Sequence, residues 1–217
     1  MSDLQRHLAT LRKDYSMLEL DEHSVMHDPV KQFEFWMEQA IEAKLDEPNA
    51  MTLATAAENG QPDLRVVLLR AFDQDGFTFY TNYTSQKGEE LAANKKASLN
   101  FFWPELQRQV RVRGTVSKVP AHVSDAYFDS RPRDSQIGAW ASQQSAKIKD
   151  RKMLMDRFEH FSEKFKGEKI HRPKSWGGYV LKPHRIEYWQ GRANRLHDRI
   201  LYEKKKDGHW RISRLSP

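Results

Sequence analysis

The sequence predicts an α+β fold built on an antiparallel β-barrel with helices on its outside, on three observations. From Met51 onward apolar residues recur with a period of two in short segments, each bounded by turn residues, which is the pattern of half-buried strands. Before and after these segments the period lengthens to that of a helix. About eight antiparallel strands result, and closing them into a barrel removes exposed sheet edges.

Each element has a local reason. Leu4, Leu8 and Leu11 share one face of an amino-terminal helix. Asp28-Pro29 pairs an N-cap side chain with proline at the first helical position. The run it opens carries Phe33, Trp36, Met37, Ala40 and Ile41 at helical spacing, and Pro48 bars continuation. MTLATA, DLRVVLLRAF and FTFYTN read as strands separated by ENG and DQDG turns. A small helix is expected over 88–95, followed by strands SLNFFW and QVRVRGTVSKV. In the latter, Val110, Val112 and Val116 alternate with Gln109, Arg111, Arg113 and Thr115, so one face is wet or carries a ligand. Helices are expected over 121–129 and 144–166, the second with Ile148, Leu154, Phe158, Phe161 and Phe165 on its apolar stripe. GGYVLKPHRIEYWQ, RLHDRILYEKK and HWRISRL then read as strands, the last two joined by a KDG turn. With no internal repeat and no Pro/Ser-rich linker, 1–217 is expected to be one domain.

Composition narrows the function. The 217 residues include six Trp, seven Tyr and eleven Phe, too aromatic for a disordered chain despite a charged fraction of 30%. No cysteine is present, which excludes disulfides, thiolate metal sites and a cysteine nucleophile. A net charge of +6 permits nucleic acid, anionic membrane or phosphorylated small molecules as partners. Without a signal-peptide pattern or a spanning apolar stretch, a cytoplasmic protein is expected. Gly-x-Gly-x-x-Gly, Walker, His-Glu-x-x-His and Gly-x-Ser-x-Gly motifs are all absent, so any phosphate must be held by side chains and loop amides.

Three blocks suit an anion. In NRLHDR, residues Arg195, His197 and Arg199 are spaced by two and would share one face of a strand, with Leu196 and Ile200 on the other. A solvated strand face would look the same. SRPRDSQ places Arg131 and Arg133 among hydroxyls in an expected loop, where guanidinium forks suit phosphate and also suit ordinary loop contacts. TNYTSQK offers Thr81, Thr84, Ser85 and Lys87 at the start of a helix, as a phosphate cradle or as a cap with a solvated lysine.

Taken together, RVVLLR, FYTNYTSQKG, QRQVRVRG, YFDSRPRDSQIGAWAS, SWGGY, EYWQG, RLHDR and the terminal RLSP resemble the pyridoxine (pyridoxamine) 5'-phosphate oxidase family over nearly the whole chain. The resemblance implies an FMN-binding split barrel, a homodimer with FMN at the subunit interface, and oxidation of pyridoxine 5'-phosphate or pyridoxamine 5'-phosphate by O2. It assigns Arg65, Val66, Val67, Leu68, Leu69, Arg70, Tyr80, Thr81, Gln86, Lys87, Gln109, Gln144, Ser145, Trp189 and Arg199 to FMN. To the substrate it assigns Arg70, Tyr127, Arg131 and Ser135, with Arg195 and His197 over the pyridine ring as the catalytic pair. It also assigns Arg12 and Tyr15 to the substrate, on a mobile amino-terminal lid over 1–27, and 28–217 form barrel and helices. Arg70 stands where lysine is common, Gln86 where an arginine usually meets the flavin phosphate, and Glu47 where aspartate is more usual. No metal, nucleic acid or membrane partner is implied. The alternatives are another split-barrel flavin oxidoreductase, which has no reason to keep the substrate residues together, and a non-catalytic pyridoxal phosphate carrier.

Overall fold

A computed structural model describes residues 3–10 and 18–217, so the expected lid residues Arg12 and Tyr15 lie outside the described residues. The chain divides into two compact units, one of residues 49–101 and 112–184, the other of 1–48, 102–111 and 185–217. Strands β6 (Arg108–Lys118) and β7 (Trp176–Gln190) contribute to both.

The larger unit is a curled antiparallel sheet with flanking helices. Its strands are β1 (Ala50–Ala56), β2 (Pro62–Leu68), β3 (Ala71–Asp73), β4 (Gly76–Asn82) and most of β5 (Lys96–Trp103), with parts of β6 and β7, in the order β2-β1-β5-β6-β7-β4-β3. Alternation directs Met51, Leu53, Phe77, Phe79, Leu99, Val112, Val116 and Leu181 inward. The expected single strand DLRVVLLRAF is two. Its first half pairs with β1 and its second with β4. Between them the Leu69 N–H donates to the Asn49 carbonyl and the Arg70 N–H to that of Thr78, both at 2.9 Å. The chain changes partners there, which the run of apolar residues conceals. Gly76 sits at φ 135, and a Cβ there would collide with the Leu181 carbonyl of β7, so the β3–β4 turn requires glycine.

Helix α3 (Gln86–Ala93) begins at Ser85, whose side chain accepts from the Gly88 N–H. Helix α4 (Ala121–Asp129) coincides with its expected span. Two expectations are corrected. SRPRDSQ is not all loop, because α5 (Arg133–Ala141) starts directly after Pro132, with Asp134 favourably placed in its first turn. The long helix expected over 144–166 is shorter: α6 covers Arg151–Lys164, since Ser145 is left-handed at φ 70 and Asp150 caps the helix through the Met153 N–H. Ile148 therefore lies outside it and is exposed. Phe128, Ile137, Ile170 and Trp176 form the core beneath these helices, with Trp140, Phe158, Phe161 and Phe165 packed against it. Arg133 donates to the carbonyls of Phe165 and Glu168 beyond the end of α6, which makes it a structural residue.

In the smaller unit α1 spans Asp3–Thr10 and α2 Pro29–Glu42. The Asp28 carboxylate accepts from the Val30 and Lys31 N–H groups, as expected of an N-cap. Phe33, Trp36, Met37 and Ala40 are buried, and Trp36 meets Tyr188 edge-on at 5.1 Å. Strands β8 (Asp198–Lys204) and β9 (Trp210–Arg214) continue antiparallel from the second half of β7. The described residues hold nine strands against the eight expected, the difference being the division at Leu69. No helix among the described residues is long and apolar enough to cross a membrane.

Asp28→Ala removes the acceptor for two N–H groups, and is expected to lower stability by about 1 kcal/mol in a urea titration. An unchanged midpoint would show that the cap contributes nothing.

Candidate active site

The larger unit holds a cleft of about 310 Å3 lined by Val66, Val67, Leu68, Arg70, Tyr80, Thr81, Lys87, Tyr127, Arg131, Gln144 and Trp176. Its walls come from the β2–β3 corner, β4, the first turn of α3, the end of α4 and the start of β7. One wall is aromatic. Tyr80 stacks on Tyr127 at 3.8 Å and on Trp176 at 5.4 Å, and burial raises the Tyr80 pKa, so its hydroxyl stays neutral.

Among the described residues, the cations of this cleft have no paired carboxylate. Lys87 is not the solvated lysine of a plain cap: it is buried, and its ammonium donates to the neutral Oε1 of Gln144 at 3.2 Å, an oxygen that also accepts from the Thr81 hydroxyl at 2.8 Å. Burial holds Lys87 below its ordinary pKa, as does the Arg65 charge, against the opposing pull of Glu90 and Asp63. The Arg131 guanidinium lies 4.6 Å from the centre of the Trp176 ring, and its buried Nη1 has no hydrogen-bond partner among the described residues. Burial lowers the Arg131 pKa; Tyr127 opposes this and Arg70 adds to it. A buried donor left unmade costs about 1–3 kcal/mol, so an anion carrying several acceptor oxygens gains what the protein leaves unsatisfied.

Two further cavities share Gln144. Arg131 and Ser135 line one of about 250 Å3 with Asn82, Gly138, Ala139, Ser142, Gln144 and Trp176. Gln86 and Ser145 line one of about 510 Å3 with Thr84, Glu89, Gln143, Gln144 and Ala146. The Gln86 amide donates to Asp63 at 2.9 Å and Glu90 at 3.0 Å. Those same carboxylates hold Arg65, which pairs with Asp63 at 2.5 Å and Glu90 at 3.2 Å and also donates to Thr55. Leu69 is buried. Sequence reasoning missed Trp176, visible only as part of SWGGY, and the acidic pair Asp63 and Glu90, which no spacing connects.

The smaller unit carries Gln109, Trp189, Arg195, His197 and Arg199. Trp189 and Arg199 are partners across β7 and β8. The expectation that Arg195, His197 and Arg199 share a strand face is corrected. A 3₁₀ turn occupies Ala193–Arg195, and β8 begins only at Asp198. Asn194 and Arg195 are left-handed at φ 55 and 61, a conformation asparagine tolerates and arginine seldom adopts. Leu196 is consequently 68% exposed instead of buried behind the strand. His197 lies 4.7 Å from the Trp189 ring, and its Nδ1 accepts the Arg192 N–H at 3.1 Å, so the neutral ring carries its proton on Nε2. Burial lowers the His197 pKa, the Arg195 charge lowers it further, and Asp198 opposes them.

The larger unit's curled sheet aligns with solved structures. PhzG from Burkholderia lata 383, in complex with tetrahydrophenazine-1-carboxylic acid, superposes with a TM-score of 0.88 at 29% identity, covering 94% of this chain and all of that one. A pyridoxamine 5'-phosphate oxidase-related, FMN-binding protein from Nostoc punctiforme gives 0.68 at 18% identity, over 85% of this chain and 97% of its own. The fold thus defines a split-barrel protein with a cleft lined by Arg70, Lys87 and Arg131. The family model described as pyridoxamine 5'-phosphate oxidase matches residues 37–165, and that of the pyridoxine 5'-phosphate oxidase C-terminal dimerisation region matches 176–217. Pyridoxine/pyridoxamine 5'-phosphate oxidases of Cupriavidus metallidurans and Trichormus variabilis are 54% and 51% identical, over 97% and 99% of this chain and 99% and 100% of theirs. The chain belongs to the pyridoxamine 5'-phosphate oxidase family, whose members are FMN-dependent oxidoreductases.

Two outcomes follow from the turn at 193–197. The His197 ring protons, followed by NMR, should titrate with a midpoint below the ordinary value of about 6.5. Because the folded value is depressed, the stability His197 contributes is complete above that ordinary value and is lost as pH falls through the folded midpoint. A midpoint above 6.5 would contradict the Arg192 hydrogen bond. Leu196→Ala should change stability by no more than about 0.5 kcal/mol, as at other exposed positions. A loss of the size seen for buried leucines, about 2–5 kcal/mol, would restore the strand assignment.

Proposed function

We propose that this chain oxidises pyridoxine 5'-phosphate or pyridoxamine 5'-phosphate to pyridoxal 5'-phosphate on bound FMN, with O2 taking up the electrons as hydrogen peroxide. The observation that carries the reading is Arg131, a guanidinium with a buried, unbonded N–H over Trp176 in a cleft that also holds Arg70 and Tyr127. Relatives of that name spanning nearly the full chain support it. The match to a dimerisation region supports a homodimer, and FMN at its subunit interface is part of the proposal.

The residues present fit FMN. Lys87 is a buried ammonium whose hydrogen-bond partner is a neutral amide, and the Ser85-capped start of α3 adds the positive end of a helix dipole. Lys87 and Thr81 would hold the cofactor with Gln144 aligned between them, and Arg65 would add charge. When bound, FMN supplies the two-electron acceptor, and the protein supplies binding, orientation and electrostatics. Arg131 and Arg70 neutralise the substrate phosphate, with Tyr127 and Ser135 as further hydrogen-bonding groups. The rings of Tyr80, Tyr127 and Trp176 keep water from one side of the cleft. His197, neutral at pH 7, is proposed to offer its Nε2–H to the substrate, and Arg195 a fixed positive charge. The remaining assignments, Val66, Val67, Leu68, Leu69, Gln86, Gln109, Ser145, Trp189 and Arg199 to the flavin, belong to the same proposal.

Aerobic incubation of the FMN-loaded protein with pyridoxine 5'-phosphate should yield pyridoxal 5'-phosphate and peroxide together, and absence of both overturns the reading. Arg131→Ala should raise KM for the phosphorylated substrate by about tenfold to a hundredfold with flavin content unchanged, since a hydrogen bond to a charged group contributes about 1.5–3 kcal/mol. Lost flavin with unaltered substrate kinetics would assign Arg131 to the cofactor instead.

A further inference from the structure

The carboxyl-terminal RLSP has no part in the site so far, and the structure shows what it touches. The Leu215 N–H donates to the Arg199 carbonyl at 2.8 Å, and the Arg199 Nη1 donates to the Ser216 carbonyl at 2.7 Å. On its other edge Arg199 donates from Nε to Glu187 Oε1 at 2.9 Å, with Nη2 at 2.9 Å from the same oxygen. The Glu187 side chain is 3% exposed, and its second oxygen accepts from Arg111 at 2.9 Å. Arg199 is thus held from two directions, by a buried carboxylate and by the chain's penultimate peptide group.

An arginine side chain has several rotatable bonds, and immobilising a side chain of that kind costs about 1.5–2 kcal/mol in rotamer entropy. Here that ordering is complete within the protein. A guanidinium carries five N–H donors, and those not engaged by Glu187 and Ser216 remain for a ligand. The Glu187 carboxylate also faces two arginines, so the cluster keeps a net positive charge and can still attract an electron-rich group.

We propose that Glu187 and the Leu215-Ser216 backbone are positioning elements that hold Arg199 for the flavin, making cofactor affinity depend on the chain's last three residues. This rests on the reading that Arg199 contacts FMN. The carboxyl terminus then has a task that neither charge nor packing of its own side chains would reveal: removing it leaves the Arg199 guanidinium held from one direction only, by Glu187.

The test measures the FMN dissociation constant of the apoprotein by quenching of flavin fluorescence, beside the melting temperature of each apoprotein. Arg199→Ala should weaken FMN about tenfold or more, as expected for one lost hydrogen bond to a charged donor. Deleting residues 215–217 should weaken FMN by a smaller factor, because Glu187 still holds the guanidinium, and should have no further effect in an Arg199→Ala background. Glu187→Gln, which keeps shape and one acceptor oxygen, should produce a smaller loss, also absent in that background. Deleting Pro217 alone leaves Ser216 with a terminal carboxylate that still accepts from Arg199, and affinity should be kept. If Arg199→Ala leaves FMN binding unchanged, the reading of Arg199 fails. If Arg199→Ala weakens FMN while the three-residue deletion and Glu187→Gln do not, or if their losses add to that of Arg199→Ala, the positioning proposal alone is overturned. The additivity measurement decides even where a variant is less stable, because general destabilisation would act in both backgrounds.

Discussion

A positive charge removed from water must meet an acceptor or remain costly, and the arrangement of this protein follows from how its buried cations meet that condition. In the cleft of the larger unit the condition is left open: among the described residues Arg131 Nη1 has no acceptor and Lys87 has a neutral one. Elsewhere it is closed internally. Arg65 is matched by Asp63 and Glu90, and Arg199 by Glu187. Arg108 is an intermediate case, buried with only the amide oxygens of Gln39 and Gln190 and the face of Trp36, and its pKa is lowered to about 10 by that burial. Arginines of identical chemistry thus sit in different surroundings, some paired with carboxylates and others without one among the described residues.

The architecture supplies the rigid frame that makes an unmatched charge tolerable. The β2–β3 corner, which forms part of the cleft wall, anchors its backbone on Asn49 and Thr78. The stack of Tyr80, Tyr127 and Trp176 fills the volume beside the guanidinium with rings that present a π face and cannot neutralise it. Gln144, between Lys87 and Thr81 and shared by three cavities, orients donors without cancelling their charge. A carboxylate at that position would close the site as Glu90 closes the surroundings of Arg65.

Much of this was legible in the amino-acid order. Period-two segments, the Asp28-Pro29 cap, the Ser85 cap and the 121–129 helix depend on interactions within a few residues, and short-range sterics and hydrogen bonding determine them locally. The family, with its cofactor and substrate class, was legible from blocks such as SRPRDSQIGAW and RLHDR, whose order along the chain is a sequence property. Tertiary structure decided what depends on distant partners. DLRVVLLRAF divides because its two halves pair with different strands, Leu196 is exposed because two left-handed residues turn the chain before β8, and α6 starts late because Ser145 leaves the helical region. The difference between Arg131, stacked over Trp176 in the cleft, and Arg133, bound to the carbonyls beyond α6, is likewise invisible in SRPRDSQ. Two residues apart in sequence, they differ because one emerges beside Trp176 and the other beside the end of a helix, and only the folded chain brings those neighbours to them.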